Sequence, residues 1–559
     1  MKRRGMVPWP TESAAVYRAA GYWLDQPLGR HLWDWAGRYG DRTALVDGDR
    51  RLGYRQLAVR VDTLAENLLE LGLRPGQNVL VQLPNCWQFL VTVLACARVG
   101  LAPVLALPAH RRRELVHVAT EAEATAVVVP ASWKDFDYEE LAHQVADACP
   151  GGPRVLVTGR PRRADSVALD PLIGPADGPG PGDGSGPDEA EDVAARRRRL
   201  DAVDVDPEDV AFLLLSGGTT GLPKLIGRTH NDYEYNARRS GEVCGFGEDT
   251  VYLAVLPVAH NFPLACPGVL GTWGVGGRVV MAPSARPEVA FPLIARERVN
   301  TTAVVPAVAQ RWLQAAGPGG ADLSSLRQLQ VGGARLAPEL ARRVPGELGC
   351  ALVQVFGMAE GLLNYTRPDD PAEVVATTQG RPISPHDEIL IVDEDGAPVA
   401  EGESGELLTR GPYTPPGYFR GGPHNKRAFT PDGWYRTGDV VRVHPSGNLV
   451  VAGRSKDLIN RGGEKISAEE VEDIAYTLPQ VVEAAAIAVP DEELGERICL
   501  CVVLKENETL ELADVVETFS RSSIARYKFP EHLRILPSLP HTPVGKIDKK
   551  ALRAEFVTL

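Results

Sequence analysis

The residues best suited to chemistry form one short run. In residues 213–224, LLLSGGTTGLPK, an apolar strand-like stretch leads into Ser216, Gly217, Gly218, Thr219, Thr220 and Gly221, and a Pro-Lys pair closes the run at Lys224. Small residues let backbone N–H groups approach a polyphosphate, and the hydroxyls add donors. Lys224 supplies a compact positive charge. A bare glycine run would read as a hairpin turn; the ordered hydroxyl and glycine pattern ending in Pro-Lys reads as an anion cradle. It is not a Walker A loop, whose GxxxxGK spacing it lacks.

Positioning such a loop takes a sizeable core, and 559 residues are enough for several domains, or for one large domain with an appendage. The balance of 44% apolar and 24% charged residues is that of an ordinary globular protein. A net charge of −13 with no basic stripe argues against nucleic-acid binding. The dense basic cluster, Arg196 to Arg199, follows an acidic Gly/Pro-rich stretch and reads as a solvated loop edge. The eight cysteines form no CxxC pair and show no zinc spacing, which suggests reduced, mostly buried thiols in a cytoplasmic protein. The N-terminus starts basic but has no apolar h-region, so no signal peptide is expected. The most apolar segment, 87–108, contains Arg98 and predicts a buried helix followed by a strand rather than a membrane span.

Strand-like runs at 78–82, 126–129, 154–157, 251–254 and 302–305 alternate with helix-like stretches, the pattern of an α/β protein with partly parallel sheets. Residues 174–187, GPADGPGPGDGSGP, read as a flexible surface loop. A boundary falls near 453–457, after a short strand at 448–452. Beyond it a separate pattern follows: helix 468–477, strands 481–489 and 498–504, helix 512–522 and a lysine-rich tail.

Further motifs follow the phosphate loop in order: 356–360 (FGMAE), 435–439 (YRTGD), 453–459 (GRSKDLI), 461–466 (RGGEKI) and 543–546 (PVGK). Together they resemble, over almost the whole chain, the adenylate-forming superfamily of acyl-CoA synthetases, peptide-synthetase adenylation domains and luciferases. More closely, SGGTTGLPKLIGRTHNDY and 259–268 (AHNFPLACPG) resemble the stand-alone aryl-acid adenylating enzymes of siderophore assembly, which load 2,3-dihydroxybenzoate or salicylate onto an aryl carrier protein. The resemblance implies a large N-terminal domain of α/β subdomains with mixed sheets, residues 1–455, holding the ATP and aryl-acid sites. It also implies a small mobile α+β domain, residues 456–559, carrying a catalytic lysine. ATP and Mg²⁺ are the implied cofactors, and an aryl carrier protein with a phosphopantetheine arm is the implied partner. The chain stops shortly after PVGK, which suggests that the acceptor thiol comes in trans.

The resemblance also implies roles, each chemically reasonable. Asp439 accepts hydrogen bonds from both ribose hydroxyls, which suits a two-oxygen carboxylate, and Arg454 reaches ribose or phosphate. Glu360 holds Mg²⁺, which needs only one or two carboxylates plus substrate phosphates; capping of a helix N-terminus after Gly357 is the structural alternative, and the two are compatible. Gly332, Gly333 and Ala334, with Val355, Phe356 and Gly357, line the adenine and acyl sites with backbone. Lys546 is the main catalytic candidate, because a cation touching both partners offsets the repulsion between an attacking carboxylate and the α-phosphate. Lys456 falls at the family's hinge position.

Asn261 stands where amino-acid-activating relatives place an aspartate. A neutral amide cannot compensate a buried ammonium but can hydrogen-bond an ortho phenol. His260 reads as a pocket-wall residue and is kept among the catalytic candidates; Phe262 suits an aromatic ring. Cys266 and Leu363 replace the serine and valine of dihydroxybenzoate enzymes, making the pocket drier and tighter where a 3-hydroxyl would sit. Salicylate is therefore the expected acid, with 2,3-dihydroxybenzoate, a substituted salicylate or 3-hydroxypicolinate as alternatives. An aryl-CoA ligase and an inactive nucleotide-binding regulator are the competing functions.

Overall fold

The computed structural model describes residues 4–174, 187–216, 222–317, 320–393, 395–454, 457–461, 464–491, 494–522, 524, 526–542 and 545–557. Gly217, Gly218, Thr219, Thr220 and Gly221 of the phosphate loop lie outside them, as do Lys456, Pro543, Val544 and nearly all of the Gly/Pro-rich segment 174–187.

Apolar runs such as Ala124–Pro130 and Asn78–Val81 are buried along nearly their whole length. A strand that is apolar on both faces must be covered on both, and a parallel sheet layered with helices does this. Among the described residues, one nine-stranded sheet runs in the order Arg381–Pro382, Gly361–Tyr365, Ala351–Met358, Gln328–Gly332, Thr301–Val304, Val251–Ala254, Arg278–Met281, Thr43–Asp47 and Arg50–Gly53. Its central pairs are parallel and its ends antiparallel. A seven-stranded sheet is parallel except where Val210–Leu215 meets Leu225–Thr229. A four-stranded antiparallel sheet, from Glu388–Val392 to Leu449–Arg454, completes the large domain. The small domain has its own sheet, in which Val481–Asp491 and Gly495–Leu504 pair over most of their length, and its own apolar core around Ile459, Ile466, Val471 and Phe519. The architecture is thus α/β, a large mixed-sheet domain followed by a small α+β one.

The segment read as buried helix plus strand is Trp87–Arg98 followed by Ala102–Leu105. All eight cysteines are free and, except for half-buried Cys86, buried. Among the described residues, no helix is long and apolar enough to cross a membrane.

Two local expectations are corrected. Arg196 to Arg199 do not form a loop edge; they lie in the helix Pro187–Asp201. There Arg196 Nε and Arg199 Nη2 reach Glu66 at 2.8 and 2.6 Å, while fully buried Arg98 joins Asp62 and Asp201, each at 2.8 Å. Glu360 caps no helix. Met358 pairs with Gly361, so Ala359 and Glu360 form a two-residue turn between antiparallel strands. Gly361 makes that turn possible: its φ is +121°, and a Cβ there would stand 2.6 Å from Thr414 Cα. Gly361→Ala is therefore expected to destabilise the fold by more than about 1 kcal/mol, since alanine tolerates neither that φ nor that contact. Thermal unfolding at an unchanged midpoint would contradict this.

Candidate functional site

The site gathers where the parallel strands of the large sheet end, the usual place for ligands in such sheets. Gly332 ends one strand, Gly333 follows it, Val305 follows the neighbouring strand, and Val355 to Gly357 lie near the end of the next. A cleft of about 430 Å³ is lined from the large domain by Gly333, Ala334, Val355, Phe356, Gly357 and Asp439, and from the small domain by Gly545 and Lys546.

Lys546 is held by a tight turn. The Thr542 N–H donates to Lys546 O at 2.7 Å, the Gly545 N–H to Thr542 O at 2.8 Å, and the Lys546 N–H to Thr542 Oγ1 at 3.1 Å. Gly545 has φ +80°, and a Cβ on it would lie 3.2 Å from Val305 Cγ2 across the cleft. Lys546 Cε comes within 3.7 Å of where a Cβ on Gly333 would stand. Two glycines thus let the small-domain turn sit close against the large domain, with the lysine over Gly333. The lysine's charge reaches His260: burial first, and then Lys546, lower that imidazole to about 4. His260 Nδ1 accepts the Phe262 N–H at 3.4 Å, so the neutral ring carries its proton on Nε2. It is suited to donating a hydrogen bond rather than to acting as a base.

The other predicted cation, Lys224, faces Glu360 across Tyr418. Tyr418 Oη donates to Glu360 Oε1 at 2.9 Å and lies 3.1 Å from Tyr435 Oη. Lys224 Nζ stands 4.9 Å from the Tyr418 ring centroid. Burial lowers the Lys224 ammonium's pKa, against the opposing pull of Glu360. The base of the phosphate loop is closed by two bonds of 3.0 Å, from the Ser216 N–H to Lys224 O and from the Lys224 N–H to Ser216 Oγ. Among the described residues no cluster of three metal-ligating side chains occurs. A single carboxylate at a hairpin tip beside a lysine fits Mg²⁺ held mostly by substrate phosphates. Tyr418 was not visible as a functional residue in the sequence: it lies in a Pro/Gly-rich stretch, 58 positions from Glu360.

Asp439 is buried on the strand Tyr435–Val443, where its register partner is Arg454. The two candidates for the ribose therefore stand at one position of the four-stranded sheet.

Asn261 opens the short helix Asn261–Ala265 and is buried, with its Oδ1 meeting no hydrogen-bond partner. Phe262 packs its ring edge against Gly332, where a Cβ would come 3.0 Å from Cζ. Leu363 abuts Gly357 in the same way on the opposing strand. Cys266 is buried, and burial pushes its thiol up to about 12, so it stays neutral. Phe262 and Leu363 thus pack against the strand-end glycines Gly332 and Gly357.

Comparison with known proteins identifies the arrangement. The family model described as AMP-binding enzyme matches residues 32–419, and the AMP-binding enzyme C-terminal domain matches 470–546.

The chain belongs to the AMP-binding enzymes.

Within that family it is similar to a "Salicylyl-CoA synthase / salicylate adenylyltransferase" of Streptomyces sp, 57% identical over 99% of this chain and 98% of the relative. It is also similar to a "Salicyl-AMP ligase / salicyl-S-ArCP synthetase" of Mycobacterium tuberculosis, 47% identical over 98% of this chain and 94% of the relative. Among solved structures, the apo MbtA of Mycobacterium smegmatis superposes with a TM-score of 0.73 at 46% identity, covering 99% of both chains. The AMP-binding enzyme is thus an aryl-acid adenylating ligase that uses ATP.

Its two domains meet through charges that the sequence did not announce. Arg335 of the large domain pairs with Asp473 of the small one at 2.6 Å, beside the Lys549–Glu472 pair within the small domain, also at 2.6 Å. Burial pushes Glu469 up from 4.5 to about 7 and Asp473 up to about 6; Glu472 adds to both, Arg335 opposes both, and Lys549 opposes the rise at Glu469. A carboxyl raised in this way favours its neutral form. The stability it gives is complete below about pH 4.5 and is lost as pH rises through about 7. Glu469→Gln removes that loss, so its melting temperature should gain on the wild type between pH 5 and pH 8. A difference that is constant across this range would contradict the burial of this group.

Proposed function

We propose that this ligase activates salicylate to salicyl-AMP with release of pyrophosphate and then passes the acyl group to the phosphopantetheine thiol of an aryl carrier protein in trans. The setting would be siderophore or related nonribosomal peptide synthesis. The observation that carries the substrate class is Asn261: buried, uncharged, with an unpartnered amide oxygen beside a neutral histidine. Leaving such an oxygen unpaired costs about 1–3 kcal/mol, which an ortho phenol donating to it would recover. An ammonium would find no counter-charge in Asn261 itself.

In this reading the carboxylate of the acid is the nucleophile, and the enzyme positions and neutralises rather than activating a side chain. Lys546 contacts the carboxylate and the α-phosphate. Lys224 and the loop from Ser216 hold the outer phosphates, Glu360 holds Mg²⁺ when it is bound, and Asp439 and Arg454 hold the ribose. The small domain begins at residue 456, with Lys456 as its hinge, and rotates between adenylation and transfer.

Cys266 and Leu363 support salicylate over 2,3-dihydroxybenzoate. A buried neutral thiol is a weaker partner for a 3-hydroxyl than serine, and leucine fills more space than valine. The name of the Streptomyces relative favours a second acceptor, coenzyme A. The test is acid-dependent ATP–pyrophosphate exchange with salicylate, 2,3-dihydroxybenzoate, benzoate and phenylalanine, followed by thioester formation with holo carrier protein or CoA. Salicylate should dominate, and Cys266→Ser with Leu363→Val should shift kcat/KM toward the dihydroxy acid by roughly ten- to a hundredfold. An unchanged ratio would contradict the pocket assignment; exchange with phenylalanine alone would contradict the substrate class.

A further inference from the structure

Arg228 belongs to no group given a role above, yet it is completely buried. Its Nε donates to Asp232 Oδ1 at 2.6 Å, with neither side chain exposed. Asp232 Oδ2 also accepts the Thr229 N–H at 2.5 Å and the Thr229 hydroxyl at 2.8 Å. A buried ion pair of this kind adds little net stability over a well-packed apolar pair, so its geometry matters more than its charge.

The guanidinium is a rigid fork, and its remaining arms point to two different parts of the site. Nη1 donates to the carbonyl of Ala359 at 3.0 Å, one residue before Glu360 in the hairpin turn. Nη2 donates to Asn236 Oδ1 at 3.4 Å. With its oxygen engaged there, Asn236 turns its Nδ2 toward the acyl-pocket wall, donating to Ala265 O at 2.6 Å and to Cys266 Sγ at 3.8 Å. One planar cation therefore ties the turn that carries Glu360 to the segment that carries Cys266.

We propose that Arg228 is a positioning residue that fixes the acyl-pocket wall and the Glu360 hairpin relative to each other, with Asn236 as its arm toward the acid. This rests on the roles of Cys266 and Glu360 stated under Proposed function. Attack on a phosphate requires the reacting atoms to be held at a separation of about 3–3.5 Å, so the acid end and the phosphate end of the site must share one rigid reference. Arg228 supplies it without touching either substrate.

Arg228→Lys keeps the charge beside Asp232 but loses the fork. It should raise KM for both ATP and the aryl acid and lower kcat by about tenfold or more, the scale of losing charge-assisted bonds. Asn236→Ala cuts only the arm toward the acid. It should raise KM for the acid and reduce the salicylate-to-dihydroxybenzoate ratio while KM for ATP stays within about twofold. Should Arg228→Lys fail to fold, Asn236→Ala alone decides. The proposal is overturned if a folded Arg228→Lys alters neither KM or only one of them, or if Asn236→Ala shifts both KM values in parallel with its melting temperature. Wild-type exchange is the separate control: its absence with every aryl acid would remove the proposed function itself, whereas normal wild-type exchange with an indifferent Arg228→Lys would remove only this assignment.

Discussion

A carboxylate attacking a nucleoside triphosphate brings two anions into contact, and the site is organised around that repulsion. Few chemical groups can relieve it without being consumed: cations, and hydrogen-bond donors fixed in advance. The chain supplies one cation from each domain. Lys224 sits at the base of the phosphate loop beside the Glu360–Tyr418–Tyr435 chain of polar contacts, and Lys546 arrives from the small domain over Gly333. In the proposed mechanism the second cation, coming from a different domain, is offered for one step and withdrawn for the next, so that charge placement and domain motion form one device.

That device depends on close approach of backbones. Gly545 and Gly333 both occupy left-handed conformations, at φ +80° and +82°, and side chains there would crowd Val305. The domain contact also carries charge, with Arg335 of the large domain set against Asp473 and Glu469 of the small one. A polar contact of this kind separates at less cost than an apolar core does. The proposed acyl pocket is the opposite environment: Cys266, Phe262 and Leu363 are buried and uncharged, and Asn261 brings a buried amide oxygen without a partner.

Much of this was legible in the sequence, because strongly periodic or strongly apolar segments have few alternatives. The strand at 251–254 and the helix followed by a strand within 87–108 appear where the pattern put them. The ordered motifs brought Lys546, Asp439 and Gly333 to one cleft, although they are far apart in the chain. What escaped was held by tertiary contacts. The helix Pro187–Asp201 has little apolar periodicity and docks through arginines on Glu66, a partner more than a hundred residues away. Glu360 was offered a helix to cap, but Met358 and Gly361 flank a two-residue turn instead. Arg228 and Asp232 show an ordinary i,i+4 spacing; only the fold makes them a buried pair reaching two walls of the site.

The central claim is that the small domain contributes the cation that joins acid to nucleotide. It is tested most directly by Lys546→Ala, measured in acid-dependent ATP–pyrophosphate exchange alongside ATP binding by calorimetry. Exchange should fall by at least about a hundredfold while ATP still binds, because the lost interaction belongs to the transition state. Exchange at the wild-type rate would contradict the account and return Lys546 to the status of an ordinary lysine near the end of the chain.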